Sequence, residues 1–213
     1  MTIAGGTSAA EYPVSFDVET QLSNRNRTTT FFRLILAVPQ LVIVGGVGTI
    51  GYDIGPLRGI GALATAAFTM AVIAWFAIVF ADRHPRGLWD FCAFYMRWWI
   101  RATAYVTLLR DEYPPFGDDV YPTSFAIDYP SSPRDRLSVG LRLIYAIPHA
   151  VVLFFLNIAW FVLTVIAWFS ILFTGNYPED LYRFAVGVFR WNVRFDAYLL
   201  LLRDEYPPFR MTP

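Results

Sequence analysis

The sequence contains a single cysteine, two histidines and no lysine. Because Cys92 has no second cysteine to pair with, a disulfide within the chain is excluded. The histidines stand far apart, and no cluster of cysteine, histidine or carboxylate residues has metal-ligand spacing, so we predict no metal site and no cofactor. All 17 basic residues are arginines and they balance 17 acidic residues, which gives no electrostatic support for nucleic-acid binding.

The N-terminal segment also lacks the features of a secretion signal. Residues 1–11 are small or polar and contain neither a basic region nor an apolar stretch. We therefore expect a flexible N-terminus without a cleavable signal peptide. Membrane insertion would then depend on the first apolar segment.

The chain is rich in apolar and aromatic residues. Hydrophobic residues make up 56% of the sequence and aromatic residues 18%. Soluble domains are about 45–50% apolar. The excess, with many Trp and Tyr, indicates a membrane protein with several spans and aromatic belts at the interfaces.

The most informative feature is an internal repeat. Residues 108–116 and 201–209 are identical, at a separation of 93 positions. Nearer the start of each copy, Arg33 recurs as Arg142 at a separation of 109. The first copy is therefore longer by 16 residues, which fall around the glycine-rich stretch 45–61. The chain is a duplication, and the extra residues belong in a loop because packed helices do not tolerate such insertions.

Both copies contain apolar segments of the length needed to cross a bilayer. A helix rises 1.5 Å per residue, so about 20 apolar residues span the roughly 30 Å hydrocarbon core. In the second copy, residues 139–174 are nearly unbroken, with Asn157 as the only polar midpoint. We interpret them as two short helices joined near Asn157, because one tilted helix of this length would be too long. A shallow, re-entrant pair is the alternative.

The predicted fold class is an all-α membrane protein with four transmembrane helices, arranged as two parallel hairpin repeats. Each hairpin is followed by an amphipathic interface helix and preceded by a short strand-like cytoplasmic segment, in which apolar and polar residues alternate. The predicted boundaries are a flexible N-terminus at 1–11; repeat 1 at 12–116, with spans at about 31–50 and 60–81 and an interface helix at about 86–109; and repeat 2 at 121–209, with spans at about 139–156 and 158–174 and an interface helix at about 179–202.

The arginines predict an orientation. A hairpin returns the chain to its starting side, so the N-terminus, both interface helices and both copies of the nine-residue motif would share one side of the bilayer. Of the 17 arginines, Arg58 alone falls in a loop on the opposite side. The positive-inside rule makes the arginine-rich side cytoplasmic.

Arginines also form a stripe along one face of each interface helix, because they recur at helical spacing. One interpretation is a defined site for anionic lipid headgroups or for a partner protein. The other is an ordinary helix face whose arginines meet phosphates or nearby carboxylates. The candidate contacts are Arg97, Arg101, Arg183, Arg190 and Arg194.

The repeated Arg-Asp-Glu-Tyr-Pro-Pro-Phe segment pairs two carboxylates, but catalysis would require a shaped pocket, and adjacent side chains at a helix end diverge. Because two prolines cannot continue a helix, we interpret the segment as the stop of each interface helix. The structural terminators are Arg110, Asp111, Glu112, Tyr113, Arg203, Asp204, Glu205 and Tyr206.

Two further features are assigned no chemistry. Residues 46–51 match the dinucleotide pattern G-x-G-x-x-G, but residues 60–81 lack the acidic residue that the pattern requires. Close helix packing or an external turn explains them better. His149 replaces Gln40 of the first copy and is expected to form a hydrogen bond within the bundle. No nucleophile, base and orienting group stand together, so no catalytic residue is assigned and no enzymatic activity is expected.

Several stretches are similar to a known family. They read Tyr-Pro-x-Ser-Phe, Phe-Arg-Leu-Ile-Leu-Ala-Val-Pro-Gln, Ile-Ala-Trp-Phe and Leu-Leu-Arg-Asp-Glu-Tyr-Pro-Pro-Phe. The chain resembles a bacterial membrane family catalogued as domain of unknown function 4389, present as two tandem copies over residues 12–116 and 121–209. The resemblance implies no activity, substrate or cofactor.

From these features we expect a non-enzymatic accessory or scaffold subunit of a larger bacterial membrane complex. It would be a multi-pass protein of the inner (cytoplasmic) membrane, anchored at the cytoplasmic leaflet with both termini in the cytoplasm. Its partners would be anionic lipids and either other integral membrane subunits or further copies of itself, and no nucleic acid. The alternative is an oligomeric lipid-handling, channel-like or transporter protein.

Overall fold

The computed structural model describes residues 12–45, 61–117, 119–130 and 134–212. The predicted flexible N-terminus and the G-x-G-x-x-G stretch lie outside the described residues. Within them the chain is mostly helical, as predicted, with one two-stranded sheet. In chain order the elements are β1 (Val14–Val18), α1 (Arg27–Phe31), α2 (Arg33–Val44), α3 (Ala62–Ala81), α4 (Arg86–Val106), β2 (Thr123–Ile127), α5 (Arg136–Gly140), α6 (Arg142–Thr174) and α7 (Glu179–Leu199).

The two strands pair with each other across the repeats. They are antiparallel, and Phe16 of β1 lies directly opposite Phe125 of β2. These residues are 109 positions apart, so they occupy the same position in the two copies. An antiparallel pair with equivalent residues opposite each other has a local twofold axis between them. The sheet therefore marks the axis that relates the repeats.

The second repeat contains one long helix, and the predicted pair of short helices joined near Asn157 is wrong. α6 runs without interruption for 33 residues and continues through Pro148. Asn157 does not turn the chain, because its side-chain amide exchanges two hydrogen bonds with that of Asn192 on α7, at 3.2 and 2.9 Å. A polar residue within an apolar run therefore marks a helix contact here. At 1.5 Å per residue α6 is about 50 Å long.

In the first repeat, α2 and α3 together correspond to α6. The end of α2 touches the start of α3, since a Cβ atom added to Gly61 would lie 2.1 Å from the backbone nitrogen of Gly45. The insertion thus interrupts a helical path that is continuous in copy two. Buried positions agree at the separation of 109: Arg33, Ala37, Gln40 and Val44 of α2 match Arg142, Ala146, His149 and Leu153 of α6. Of the first predicted span, 31–50, residues 46–50 lie outside the described part of the chain.

The apolar helical paths of the two repeats run in opposite directions, and neither path is a hairpin of the predicted kind. Trp168, near the end of α6, donates its indole N–H to the carbonyl of Thr30 in α1, at 3.0 Å. In the equivalent contact, Trp75 near the end of α3 donates to the carbonyl of Val139 in α5, also at 3.0 Å. Each apolar path therefore begins beside the end of the other. The parallel prediction depended on hairpins that return to one side, which a single helical path does not form.

α4 and α7 form the interior of the molecule. Their bounds agree with the predicted interface helices to within a few residues, but residues 185–198 of α7 are buried throughout. α7 packs along α6, while α4 packs along α2 and α3. Each also carries the strand of the other repeat, β1 on α7 and β2 on α4. The N-terminal segments of the repeats are thus exchanged, and each half completes the core of the other.

Two of the described helices, α3 and α6, are long and apolar enough to cross a membrane, whereas α2 has only 12 residues. Four transmembrane helices are therefore not supported. The most apolar windows of α3 and α6 are only 28% and 17% buried, so these are not core helices of the ordinary soluble kind. Their exposed apolar surface is the structural indication of a membrane protein.

The strand register can be tested by disulfide formation. Ser15 and Ala126 are exposed and directly opposite each other, so the pair Ser15→Cys with Ala126→Cys should cross-link on mild oxidation. The control pair, Ser15→Cys with Ser124→Cys, is displaced by two residues and should cross-link poorly. Mass spectrometry of non-reduced peptides measures both yields. Equal yields, or preferential cross-linking of the displaced pair, would refute the register.

Candidate functional site

Two buried clusters of charge are built around the repeated motif. In the first, Asp111 accepts from two arginines of the preceding segment, with its Oδ1 2.9 Å from Arg25 Nη2 and 2.6 Å from Arg33 Nη2. Arg33 also donates to the carbonyl of Tyr105 at 2.9 Å, and its guanidinium lies 4.3 Å from the centre of the Tyr105 ring. We call this group the first clamp.

The second clamp has the same design. Asp204 Oδ1 lies 2.6 Å from Arg134 Nη1 and 2.5 Å from Arg142 Nη2. Arg142 donates to the carbonyl of Tyr198 at 2.6 Å, and its guanidinium lies 4.3 Å from the centre of that ring. These four arginines are not among the site residues predicted from the sequence. The signal was present, because the Arg25–Arg134 and Arg33–Arg142 pairs both recur at the separation of 109.

Each clamp has two arginines and one carboxylate, so backbone carbonyls at the helix ends supply further acceptors. Leu108 and Leu201 adopt positive φ angles of 64° and 62°, and the helices have already ended at Val106 and Leu199. The stop therefore lies before the Arg-Asp-Glu-Tyr segment that was predicted to provide it. The last carbonyls of a helix are unpaired and carry partial negative charge. Arg25 donates to the carbonyl of Leu108, just beyond the end of α4, at 2.5 Å.

The other predicted terminators brace the strand ends. Arg110 pairs with Glu112 at 2.6 Å and donates to the carbonyl of Glu19 at 2.8 Å. The equivalent Arg203 pairs with Glu205 at 2.5 Å and donates to the carbonyl of Asp128 at 3.1 Å. The tyrosines continue the packing in different ways. Tyr113 meets the Tyr105 ring edge-on, and Tyr206 donates to the carbonyl of Tyr145 at 3.1 Å.

The clamps lie at opposite ends of α6. The first contacts its C-terminal end, where the backbone N–H of Arg25 donates to the carbonyl of Gly175 at 3.0 Å. The second contains Arg142, the first residue of α6. The two copies of the nine-residue motif are therefore separated by about the length of this helix.

The predicted arginine stripes have mixed surroundings. Arg183 is exposed and pairs with Glu179 one turn earlier. Arg190 is buried and donates to the carbonyl of Phe16 at 3.2 Å, while Arg194 donates to the carbonyl of Thr212 at 2.9 Å. In copy one Arg97 and Arg101 are both half-buried, and Arg101 donates to the carbonyl of Gly117. The stripe on α7 therefore faces β1 and the C-terminal segment.

Gln40 and His149 perform the same task in the two copies. Trp98 donates its indole N–H to Gln40 Oε1 at 2.7 Å, and the equivalent Trp191 donates to His149 Nδ1 at 3.0 Å. The hydrogen bond expected for His149 is thus present. No group of three or more His, Cys, Asp or Glu residues that could hold a metal ion occurs in the described part of the chain.

His84 joins the second clamp in a defined protonation state. Its Nδ1 lies 2.9 Å from Arg134 Nη2, and because a guanidinium can only donate, the ring nitrogen accepts and the imidazole is neutral. Burial, followed by the positive charge of Arg134, lowers the pKa of His84 to about 4. Protonation of His84 would place two like charges in contact.

Loss of either clamp carboxylate should strongly destabilise the protein. Asp111→Asn or Asp204→Asn leaves two buried guanidiniums without their shared anion, and each should cost about 3–5 kcal/mol of unfolding free energy. The matched control is Asp90→Asn, an exposed site on α4, which should change stability by no more than about 0.5 kcal/mol. Chemical denaturation in detergent measures both. Clamp variants as stable as the control would contradict the assignment.

The neutral His84 predicts an acid-sensitive component of stability. Because its pKa is lower in the folded chain than the unfolded value of about 6.5, the stabilisation is present above pH 6.5 and is lost as the pH falls toward 4. His84→Gln keeps an acceptor that cannot be protonated, so its melting temperature should fall less over this interval. Thermal unfolding across pH 4–7 measures the difference, and identical pH profiles would refute the role of His84.

Comparisons with known proteins give one match. Neither the curated proteins nor the solved structures include a match to the chain. The family described as Domain of unknown function (DUF4389) matches residues 60–117 and 136–210, which together make up more than half of the 213 residues. The first matched segment contains α3 and α4, and the second contains α5, α6 and α7. Each segment ends just after one copy of the nine-residue motif. The chain is a member of the DUF4389 family and carries two tandem copies of its domain.

Proposed function

We propose that the protein is a non-enzymatic scaffold subunit of a bacterial inner-membrane complex. The proposal is supported by the contrast between the charged interior of the protein and the apolar surface of its long helices. The clamp arginines are neutralised by carboxylates and carbonyls of the chain itself, so their charge holds the fold together. The surface that remains available on the apolar helices consists of large hydrophobic side chains.

The apolar surface is extensive and aromatic. Large apolar side chains are exposed along α2, α3 and α6. In a soluble protein, exposed apolar surface of this extent would favour aggregation. In hydrocarbon the same surface costs nothing to expose, and flat aromatic rings offer broad contact area to neighbouring helices. The exposed phenylalanines of α3 and α6 are Phe76, Phe80, Phe154, Phe155, Phe161, Phe169 and Phe173.

The packing of α7 supports a particular placement of the molecule in the membrane. Because Asn192 meets Asn157, the buried Arg190 and Arg194 lie near the middle of α6. On β1, beyond α7, Asp17 is exposed. Charged groups at the centre of a bilayer cost about 2.5–3.5 kcal/mol each on insertion scales. We therefore propose that α6 lies along one leaflet with its apolar face embedded, in place of the multi-pass arrangement expected from the sequence. Its length of about 50 Å, against a core of roughly 30 Å, supports this placement.

Both termini are proposed to face the cytoplasm. The Tyr12 ring centre lies 5.9 Å from the Arg194 guanidinium, which also binds the carbonyl of Thr212. Residues near the two ends of the chain therefore meet at one place. The abundance of arginine favours the cytoplasmic side for that place.

The transport alternative has less support. Repeat-built transporters place their substrate path at the interface between repeats. At that interface Phe16 packs edge-on against Phe189 with ring centroids 4.6 Å apart, and Trp99 packs against Phe189 at 5.5 Å. The centre of the molecule is thus filled with aromatic side chains. This packing favours a scaffold over a channel or carrier.

Co-purification tests the scaffold role. Extraction in a gentle detergent, followed by mass spectrometry, should recover integral membrane partners in fixed ratio with the chain. Phe161→Ala with Phe169→Ala removes part of the exposed face without touching a clamp, and should reduce partner recovery several-fold. Arg183→Gln, an exposed change on α7, is the control and should leave recovery unchanged. A homogeneous chain without partners would contradict the proposal.

Labelling from each side of the membrane tests the placement. Leu137 and Asn176 are exposed and flank the two ends of α6. In a Cys92→Ala background, cysteines at these positions should both react with an impermeant maleimide in inside-out vesicles and neither in spheroplasts. Reaction of the two cysteines from opposite sides would show that α6 crosses the bilayer.

A further inference from the structure

The two repeats differ in charge beside their core arginines. Arg101 donates to the carbonyl of Gly117, and the equivalent Arg194 donates to the carbonyl of Arg210, 93 positions later. In sequence, copy one continues after Gly117 with two aspartates, whereas copy two places Arg210 at the matching position and continues with Met and Thr. Copy two therefore has an arginine where copy one has a glycine, and it lacks the two aspartates that follow in copy one.

The three arginines of copy two surround a small cavity. It has a volume of about 50 Å³ and is lined by Arg190, Arg194 and Arg210 together with Tyr12 and residues of β1. The C-terminal segment is fitted closely here. A Cβ atom added to Gly187 on α7 would lie 2.9 Å from the Cβ of Met211, so glycine is needed for this approach. The C-terminal segment that carries Arg210 is thus packed against α7.

Within the described part of the chain, the positive charge at this cavity is poorly compensated. Arg190 pairs with Asp17 at 3.1 Å, but the Asp17 side chain is 68% exposed and does not line the cavity. Arg194 is 3% exposed and forms no ion pair with any residue that the structure describes; it donates to the carbonyls of Arg210 and Thr212, at 3.3 and 2.9 Å. Both Arg194 Nε and Arg210 Nε are buried without a hydrogen-bond partner. Unpaired buried donors of this kind are costly, and an anion would satisfy them.

Electrostatics gives the same indication. Burial, followed by the charges of Arg210 and Arg190, lowers the pKa of Arg194 to about 10. A lowered arginine pKa means that like charge and desolvation outweigh the available anions. Burial also lowers the pKa of the clamp arginine Arg25, but Asp111 contacts that guanidinium, whereas no carboxylate of the described residues lines the cavity.

We propose that Arg190, Arg194 and Arg210 form a binding site for one phosphate-class oxyanion, specific to the second repeat. A tetrahedral oxyanion matches the small cavity and presents several acceptor oxygens to the converging N–H groups. Guanidinium groups are suited to phosphate oxygens because their planar donors form charge-assisted hydrogen bonds. The anion would be either free phosphate or the phosphate of a lipid headgroup. The site goes beyond the scaffold proposal and stands independently of it.

Binding is tested on the full chain with two probes. Inorganic phosphate is titrated against protein in a zwitterionic detergent at constant ionic strength, with ³¹P NMR as the readout. Nanodiscs of phosphatidylcholine with and without phosphatidic acid supply the lipid probe, with retained lipid measured by native mass spectrometry. Arg210→Gln is the principal variant, because Arg210 lies in the C-terminal segment and belongs to neither clamp. It should weaken binding about tenfold.

Two matched variants separate a defined site from general charge. Arg101→Gln alters the equivalent arginine of copy one, and Arg183→Gln removes an exposed arginine from the same helix. Neither should change binding by more than about twofold, while Arg194→Gln should abolish it. The melting temperature of each variant without ligand establishes that it remains folded.

The outcomes decide between the sources of the anion. Phosphate binding weakened by Arg210→Gln identifies a free anion as ligand; retention of phosphatidic acid weakened by the same variant identifies a headgroup. Either result, with unchanged control variants, supports the site. The proposal is overturned if neither probe binds, or if Arg183→Gln and Arg101→Gln weaken binding as much as Arg210→Gln.

Discussion

The structure depends on one interaction that occurs twice, in which two buried guanidiniums share a single aspartate at the end of a core helix. A buried guanidinium is costly unless its charge and its donors are satisfied together. Asp111 and Asp204 supply the charge, and the carbonyls of Tyr105 and Tyr198 in the last turns of α4 and α7 supply further acceptors. Each clamp also joins the start of its own apolar path to the end of the other one. The clamps therefore determine how the two halves are exchanged.

Much of this architecture could be predicted from the sequence. The duplication, the excess in copy one, the alternation of β1 and the extents of α4 and α7 all follow from spacing. The helix count could not be obtained in the same way, because it depended on reading the Asn157 amide as a turn signal, whereas it pairs with Asn192 on the neighbouring helix. The predicted hairpins followed from that count and were wrong with it. Arg33 stands near the start of a predicted span, and only tertiary contacts reveal that it is 1% exposed.

The same contacts explain why the repeated motif is kept in both copies. Its Arg-Asp-Glu-Tyr part does not stop the helix, since Leu108 and Leu201 at the start of the motif turn the chain first. It provides Asp111 and Asp204 for the clamps, and pairs Arg110 with Glu112 and Arg203 with Glu205 at the strand ends. Charge is thereby concentrated inside the molecule, and its apolar helices present hydrocarbon to the surroundings. The second repeat differs from the first where its terminal segment adds Arg210 to the buried pair Arg190 and Arg194. At this place we propose an anion-binding site.

The most direct test of this account is a distance between equivalent positions of the two repeats. Thr28 in α1 and Leu137 in α5 are exposed and 109 residues apart. Spin labels at these positions, in a Cys92→Ala background, can be measured by double electron–electron resonance. Antiparallel repeats place the labels at opposite ends of α6, so we expect a distance on the order of 40 Å from the helix rise. A distance below about 20 Å, as adjacent parallel helices 8–10 Å apart would give, would contradict the exchanged, antiparallel arrangement.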